Sequence, residues 1–276
     1  MSTAAESLSI PRLTTQGRVT QLRIVRSEWT KLITLRSTLW SLFTAVILTI
    51  GLPLLFAAVT SSHWGSMGPH ERADRHPLDI ALAGVNLSQL AIGVLGVLVI
   101  TGEYSTGMIR ASLTAVPKRL PVLWAKTAVY ALVSFLLMVP SVLIAFFASQ
   151  AILSKHDILQ ISFGHGGVAR AVFGGAVYLA LLAVLTVALG TIVRNTAGGI
   201  AVFAAIFFVI PPLLNILPAS WNNAISPYLP DAAGRSIFSL THGAHDLAPA
   251  PGLALFAGYC AVALAIAALV LVRRDA

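Results

Sequence analysis

Charged residues are scarce in this chain of 276 residues: Asp, Glu, Lys and Arg make up 10% of it, and hydrophobic residues make up 57%. Soluble globular domains carry about a quarter charged residues, and a mean hydropathy of +0.86 indicates more apolar surface than such a fold buries. Several uncharged runs exceed the roughly 18–20 residues that a helix needs to cross a bilayer. The composition therefore excludes a soluble enzyme and predicts a polytopic membrane protein.

Cysteine and a nucleotide-binding motif are also missing or nearly so. Cys260 is the only cysteine, which excludes an intrachain disulfide. No Gly-Lys pair occurs, so the phosphate-binding loop of a P-loop ATPase is absent from this sequence. We therefore expect no catalytic residue, no cofactor and no enzymatic activity in the chain by itself. The polar first 17 residues lack the apolar core of a signal peptide, and we expect a disordered cytoplasmic tail at 1–17.

Six apolar runs are predicted to span the membrane, at residues 39–59, 80–100, 127–152, 171–193, 196–217 and 252–272. None of these ranges contains Asp, Glu, Lys, Arg or His, which counts against a carrier driven by protons or sodium, because such carriers usually hold ionisable groups within their spans. The predicted fold class is an all-α integral membrane protein, with residues 18–276 as a single transmembrane domain.

Basic residues predict the orientation of these spans. With the spans above, 13 Lys and Arg residues fall on one side and 5 on the other. Cytoplasmic loops retain basic residues, so we place both termini in the cytoplasm and the protein in the plasma membrane. The formal charge of +8 is then a signal of topology and of attraction to anionic lipid, and not of nucleic-acid binding.

Two cytoplasmic segments stand out. Residues 18–37 are predicted to form an amphipathic helix in the membrane interface, either as a basic anchor or as a docking element. Residues 102–119, between the second and third spans, include an acidic residue, an aromatic residue and a helix-compatible run that ends at Pro117, which predicts a short helix across the membrane face.

Polar residues elsewhere suggest two weaker hypotheses. Asn86 and Gln89 lie three residues apart on the second span and are the best candidates for lining a transport pathway, although such residues more often bond helices together. His242, His245 and Asp246 have a spacing that would suit a metal on a helix, but solvated loop residues are the simpler interpretation, and we expect no bound metal.

These features resemble the permease subunits of type-2 ATP-binding cassette (ABC) exporters, particularly those of actinobacteria. The resemblance rests on six spans, on Arg26, Glu28, Trp29 and Lys31 in the interfacial helix, and on a pattern in the loop after span 2. That pattern consists of Glu103, Tyr104, Gly107, Arg110, Pro117 and Arg119.

The resemblance implies that residues 103–119 form a coupling helix, which binds a separately encoded ATPase subunit, and that Arg194 makes a secondary contact. It also implies two ATPase subunits, which would hold ATP and Mg²⁺, and a second permease copy, identical or related. The aliphatic spans suggest an apolar or amphipathic substrate such as an antibiotic, peptide or lipid. The alternatives are a non-transporting scaffold or immunity protein, or a secondary carrier.

Overall fold

The computed structural model describes residues 20–107, 120–154, 160–240 and 243–273. These ranges are helical apart from turns and short connections, and they contain no β-strand. Six helical segments are long and apolar enough to cross a membrane, which confirms the predicted number. They are α2 (Arg36–His63), α4 (Pro77–Ser105), α5 (Leu120–Leu153), α6 (Val168–Val193), the segment Thr196–Leu214, and α11 (Pro249–Arg273). This architecture fits a multi-pass integral membrane protein.

Shorter helices flank and connect these six. Helix α1 (Gln21–Thr34) precedes α2, and the two are separated only by Leu35, whose extended backbone interrupts the helical hydrogen bonding. Helix α3 (Pro69–Ala73) lies between α2 and α4. The connection before α11 contains α9 (Ala219–Ile225), a 3₁₀ turn (Ser226–Tyr228) and α10 (Pro230–Arg235).

The fifth apolar segment is an irregular helix. It consists of α7 (Thr196–Ala204), a π-helical turn (Ala205–Val209) and α8 (Ile210–Leu214). Pro211 and Pro212 have no N–H to donate to the carbonyl groups four residues earlier, so a regular α-helix is broken here. A π-helical turn is one of the ways in which a helix absorbs such a defect. The helix ends at Leu214, before the predicted boundary at 217.

Several helices extend beyond their predicted ranges. Helix α4 covers Pro77–Ser105 where 80–100 was predicted, and α5 covers Leu120–Leu153 where 127–152 was predicted. The additional turns hold Asp79, Glu103 and Lys126. The predicted ranges contain no charged residue, but the complete helices do. Hydropathy marks the apolar part of a helix, whereas backbone hydrogen bonding continues into its polar flanks.

Helices α4 and α6 form the centre of the bundle. Their most apolar windows are 56% and 61% buried, compared with 28% for α2 and 17% for the fifth segment. Large apolar side chains on the outer surface remain exposed, among them Trp40, Phe43, Leu136 and Ile144. Such a surface is expected where lipid, and not water, surrounds the helices.

Helices α2 and α4 pack closely because small residues line their contact. A Cβ added at Gly84 would lie 2.3 Å from the carbonyl oxygen of Thr49. That carbonyl is four residues before Pro53, which has no N–H to donate to it. The Thr49 and Ser88 hydroxyls are 2.6 Å apart, and Ser88 donates to the carbonyl of Ala45. Small residues and hydroxyl hydrogen bonds are the usual means by which membrane helices associate.

Candidate functional site

Four charged side chains from three helices meet at one end of the bundle. Glu28 and Lys31 lie one turn apart on α1, Glu103 lies in the last turn of α4, and Lys126 lies in the second turn of α5. We call these four residues the ion-pair cluster. They are 23 to 98 positions apart between helices, so only the fold brings them together.

Helix α1 contributes to the cluster because its buried face includes an acid. Ile24, Glu28 and Leu32 recur every four residues and are buried against the bundle. The predicted interfacial residues Arg26 and Trp29 are exposed on the rest of the helix. Of the predicted set, Glu28 is buried against the bundle and Lys31 is partly buried beside it, whereas Arg26 and Trp29 are exposed.

Each ammonium in the cluster contacts both carboxylates. Lys31 Nζ lies 2.7 Å from Glu28 Oε1 and 2.8 Å from Glu103 Oε1. Lys126 Nζ lies 2.5 Å from Glu28 Oε2 and 2.9 Å from Glu103 Oε1. The Lys126 side chain is 3% exposed, whereas that of Lys31 is 27% exposed. The cluster contains two cations and two anions, so its formal charge is zero. Buried charges are found in proteins mainly when they are paired in this way.

The protonation of Lys31 follows from its partners. Burial disfavours the ammonium and acts to lower the pKa, but the hydrogen bonds and attraction to Glu103 and Glu28 are together stronger, and the pKa of Lys31 is raised above its ordinary value of 10.5. Lys31 is therefore positively charged at physiological pH, and its contacts are charge-assisted hydrogen bonds.

The predicted coupling residue Glu103 has partners within the chain. The structure places its Oε1 2.8 Å from Lys31 Nζ and 2.9 Å from Lys126 Nζ. Its role toward an ATPase stays a prediction, as do the roles of the three predicted residues that lie outside the described ranges: Arg110, Pro117 and Arg119.

Tyr104, Gly107 and Arg194 lie at the same end of the bundle. The Arg194 guanidinium carbon is 5.4 Å from the centroid of the Tyr104 ring, and its Nη2 donates to the Val270 carbonyl at 3.0 Å. Arg194 ends α6 with a left-handed backbone, φ 59°, and Gly107 has φ 72° just after α4. Such angles suit glycine and terminate helices.

One of the two predicted pathway residues, Gln89, belongs to a second polar group in the bundle. The Tyr178 hydroxyl of α6 donates to Gln89 Oε1 and lies 3.5 Å from Asp231 Oδ1 on α10. Arg235 donates to the other oxygen of Asp231 at 3.1 Å. Asn86 lies one turn before Gln89, and its buried Oδ1 has no hydrogen-bond partner among the described residues. Gln89 thus bonds α4 to α6 here, and its part in a pathway stays a prediction.

Helix α10 enters the bundle closely enough to bury an acid. A Cβ added at Gly234 would lie 2.4 Å from the Tyr178 ring, so only glycine permits this approach. Burial raises the pKa of Asp231 above its ordinary value of 3.8, and the Arg235 charge only partly opposes that rise. A titratable group therefore lies beside the spans, although it comes from a loop.

The predicted metal ligands are not assembled in the described part of the chain. Asp246 Oδ2 accepts a hydrogen bond from the backbone N–H of Gly243 at 2.7 Å, which is a local turn contact. His245 is exposed, and His242 lies outside the described ranges. No group of three potential metal ligands occurs among the residues described.

Sequence reasoning missed several members of these polar groups. In the sequence, Lys126 counted only among the basic residues that predict orientation. It is the single charged residue of α5, and it contacts the only acid in the last turns of α4. Opposite charges at adjoining ends of neighbouring helices were a usable signal. The contact between Tyr178 and Asp231 joins residues 53 positions apart and had no counterpart in the sequence pattern.

Neither a scan against protein-family models nor a search of curated proteins finds a match for this chain. Functional inference therefore depends on the residues and their geometry.

Proposed function

We propose that this chain is the permease subunit of an ATP-driven ABC exporter, which moves an apolar or amphipathic compound outward across the plasma membrane. Two permease copies, identical or related, would flank the pathway. Two separately encoded ATPase subunits would bind ATP and Mg²⁺. The termini and the ion-pair cluster would then lie on the cytoplasmic side.

The ion-pair cluster is the observation that carries this proposal. The segment from 106 to 119 connects α4 to α5, with Glu103 shortly before it and Lys126 shortly after it. Both side chains also contact α1, Glu103 through Lys31 and Lys126 through Glu28. A displacement of the connecting segment would therefore be transmitted to three helices, α1, α4 and α5.

Energetics favour movement of these three helix ends as one unit. Removing one partner from a buried ion pair costs about 3–5 kcal/mol, because the remaining charge is left without compensation. Separating α1, α4 and α5 at the cluster would likewise leave charged side chains without their partners. A rigid cluster at the base of a cytoplasmic loop is a means of transmitting work from a partner protein.

Purification of the full-length chain from the membranes of its own host cells tests the proposal. We expect a co-purifying subunit that contains a phosphate-binding loop, and ATP hydrolysis by the complex. Retention of that subunit should fall in Arg110→Ala and not in the matched control Arg75→Ala, which removes an exposed arginine from the opposite end of the bundle. Purification of the wild-type chain without any ATPase would contradict the proposal and favour the scaffold or immunity protein.

A proton-coupled carrier is a second candidate, and the Asp231 group favours it. Asp231 is 6% exposed, its pKa is raised, and it adjoins the Tyr178 and Gln89 side chains between helices. Transport that stops with a protonophore and continues after ATP depletion would identify this second function. Transport with the reverse sensitivity would support the exporter.

A further inference from the structure

A cavity of about 350 Å³ adjoins the ion-pair cluster. It lies between α1, the first turns of α2 and the last turns of α4, and all of its lining residues are described. Volumes of a few hundred Å³ are typical of small-molecule sites. The cavity has one charged wall and one apolar wall, which together restrict what it can bind.

The charged wall offers one acceptor and one donor. Glu103 Oε2 is buried, and it has no hydrogen-bond partner among the described residues, although Oε1 of the same carboxylate contacts two lysines. An ionised carboxylate oxygen left unpaired in a buried site is unfavourable. The Lys31 ammonium has three N–H donors, and its two carboxylate partners use two of them. A complementary ligand would donate to Glu103 and present a negatively charged oxygen to Lys31.

The other wall of the cavity is aliphatic. Leu35, Leu95, Leu98 and Val99 line it, and Leu35 and Leu98 are 51% and 36% exposed. Trp40 and Phe43, in the first two turns of α2, are 68% and 55% exposed. A ligand with a polar head in the cavity would have an apolar surface along which its tail could lie.

We propose that this cavity binds a membrane phospholipid whose headgroup carries a primary ammonium, as in phosphatidylethanolamine. The ammonium donates to Glu103 Oε2, the phosphate accepts from Lys31, and the acyl chains lie against the leucines and the outer face of α2. The cavity lies at the charged end of apolar helices, where the headgroups of a surrounding bilayer would lie. This site does not depend on the proposed export function.

Headgroup methylation provides the sharpest test. Phosphatidylcholine carries the same charges as phosphatidylethanolamine, but its quaternary nitrogen has no N–H to donate. Full-length protein would be reconstituted in nanodiscs that contain phosphatidylethanolamine, phosphatidylcholine and phosphatidylglycerol in equal amounts, extracted, and examined for retained lipid by native mass spectrometry. We expect retained phosphatidylethanolamine to exceed each of the others by about tenfold, the effect of one hydrogen bond to a charged group.

Two glycines provide matched variants. A Cβ added at either Gly102 or Gly51 meets no atom within 4 Å, and both lie inside helices. Gly102 lines the cavity, whereas Gly51 does not. Gly102→Leu should therefore abolish selective retention, and Gly51→Leu should preserve it.

Equal retention of phosphatidylcholine, or preference for phosphatidylglycerol, by the wild-type protein would overturn the assignment. Retention of no lipid would overturn it as well. Because the comparison of lipids uses the wild-type chain, it remains decisive even if Gly102→Leu does not fold.

Discussion

At the residue scale, the most constrained side chain is the Lys126 ammonium. It lies inside a helix that is otherwise uncharged, and it is almost completely buried between Glu28 and Glu103. A lone buried lysine at such a position would lower the stability of the fold, whereas a lysine with two carboxylate partners is tolerated.

Lys126→Met is expected to destabilise the protein by about 3–5 kcal/mol, because Glu28 and Glu103 would then share a single cation. Thermal unfolding in detergent measures the effect. Lys31→Met is the matched control, since its side chain is 27% exposed and water can compensate for its loss. The interpretation fails if the two variants unfold at the same temperature.

The pH dependence of the cluster follows from Lys31. Its pKa is higher in the folded protein than the ordinary 10.5, so its stabilising contribution is complete below that pH and is lost as the pH rises through the folded value. The melting temperatures of wild type and Lys31→Met should differ by a constant amount from neutral pH to about pH 9 and converge only above about pH 10.5. Convergence already near neutral pH would contradict a raised pKa.

At the scale of elements, the bundle depends on close approach of helix backbones. Hydrophobic attraction between helices is weak in lipid, so small residues and hydroxyl groups determine which faces meet. At Gly84, α4 approaches α2 so closely that an added Cβ would lie 2.3 Å from the Thr49 carbonyl oxygen, and the hydrogen bonds of Ser88 lie one turn further along.

Gly84→Leu should force α2 away from α4 and lower the unfolding free energy by about 1–3 kcal/mol or more, the usual cost of overpacking. The obstacle is backbone, which has no rotamer with which to move aside. Gly51→Leu places the same side chain on an open face of α2 and should leave stability nearly unchanged. Chemical unfolding of both variants measures the difference in stability. Equal stability would show that α2 and α4 can move apart at little cost in free energy.

At the scale of the whole molecule, the two polar groups lie toward opposite ends of the bundle. The ion-pair cluster and Arg194 lie at the end that we predict to be cytoplasmic, and Asp231 and Arg235 lie on the connection at the other end. The proposed coupling to an ATPase requires this orientation, because ATP is in the cytoplasm.

Labelling with a membrane-impermeant thiol reagent tests the orientation. Cys260 is buried, so the native background should be low. A cysteine that replaces His70 should react in intact cells, whereas one that replaces Ala115 should react only after the membrane is permeabilised. The reverse pattern would invert the topology and remove the basis for ATPase coupling at residues 103–119.

The sequence by itself determined the class of the protein, the six helices and the side on which basic residues accumulate. These follow from local composition, because a bilayer requires about 20 apolar residues per span and every apolar run carries that information within itself. Tertiary structure decided the rest: that Lys126 meets Glu28 across 98 positions, that Glu103 has partners inside the chain, and that Asp231 reaches Tyr178. Such contacts depend on the rotation and crossing of packed helices, which no run of neighbouring residues encodes.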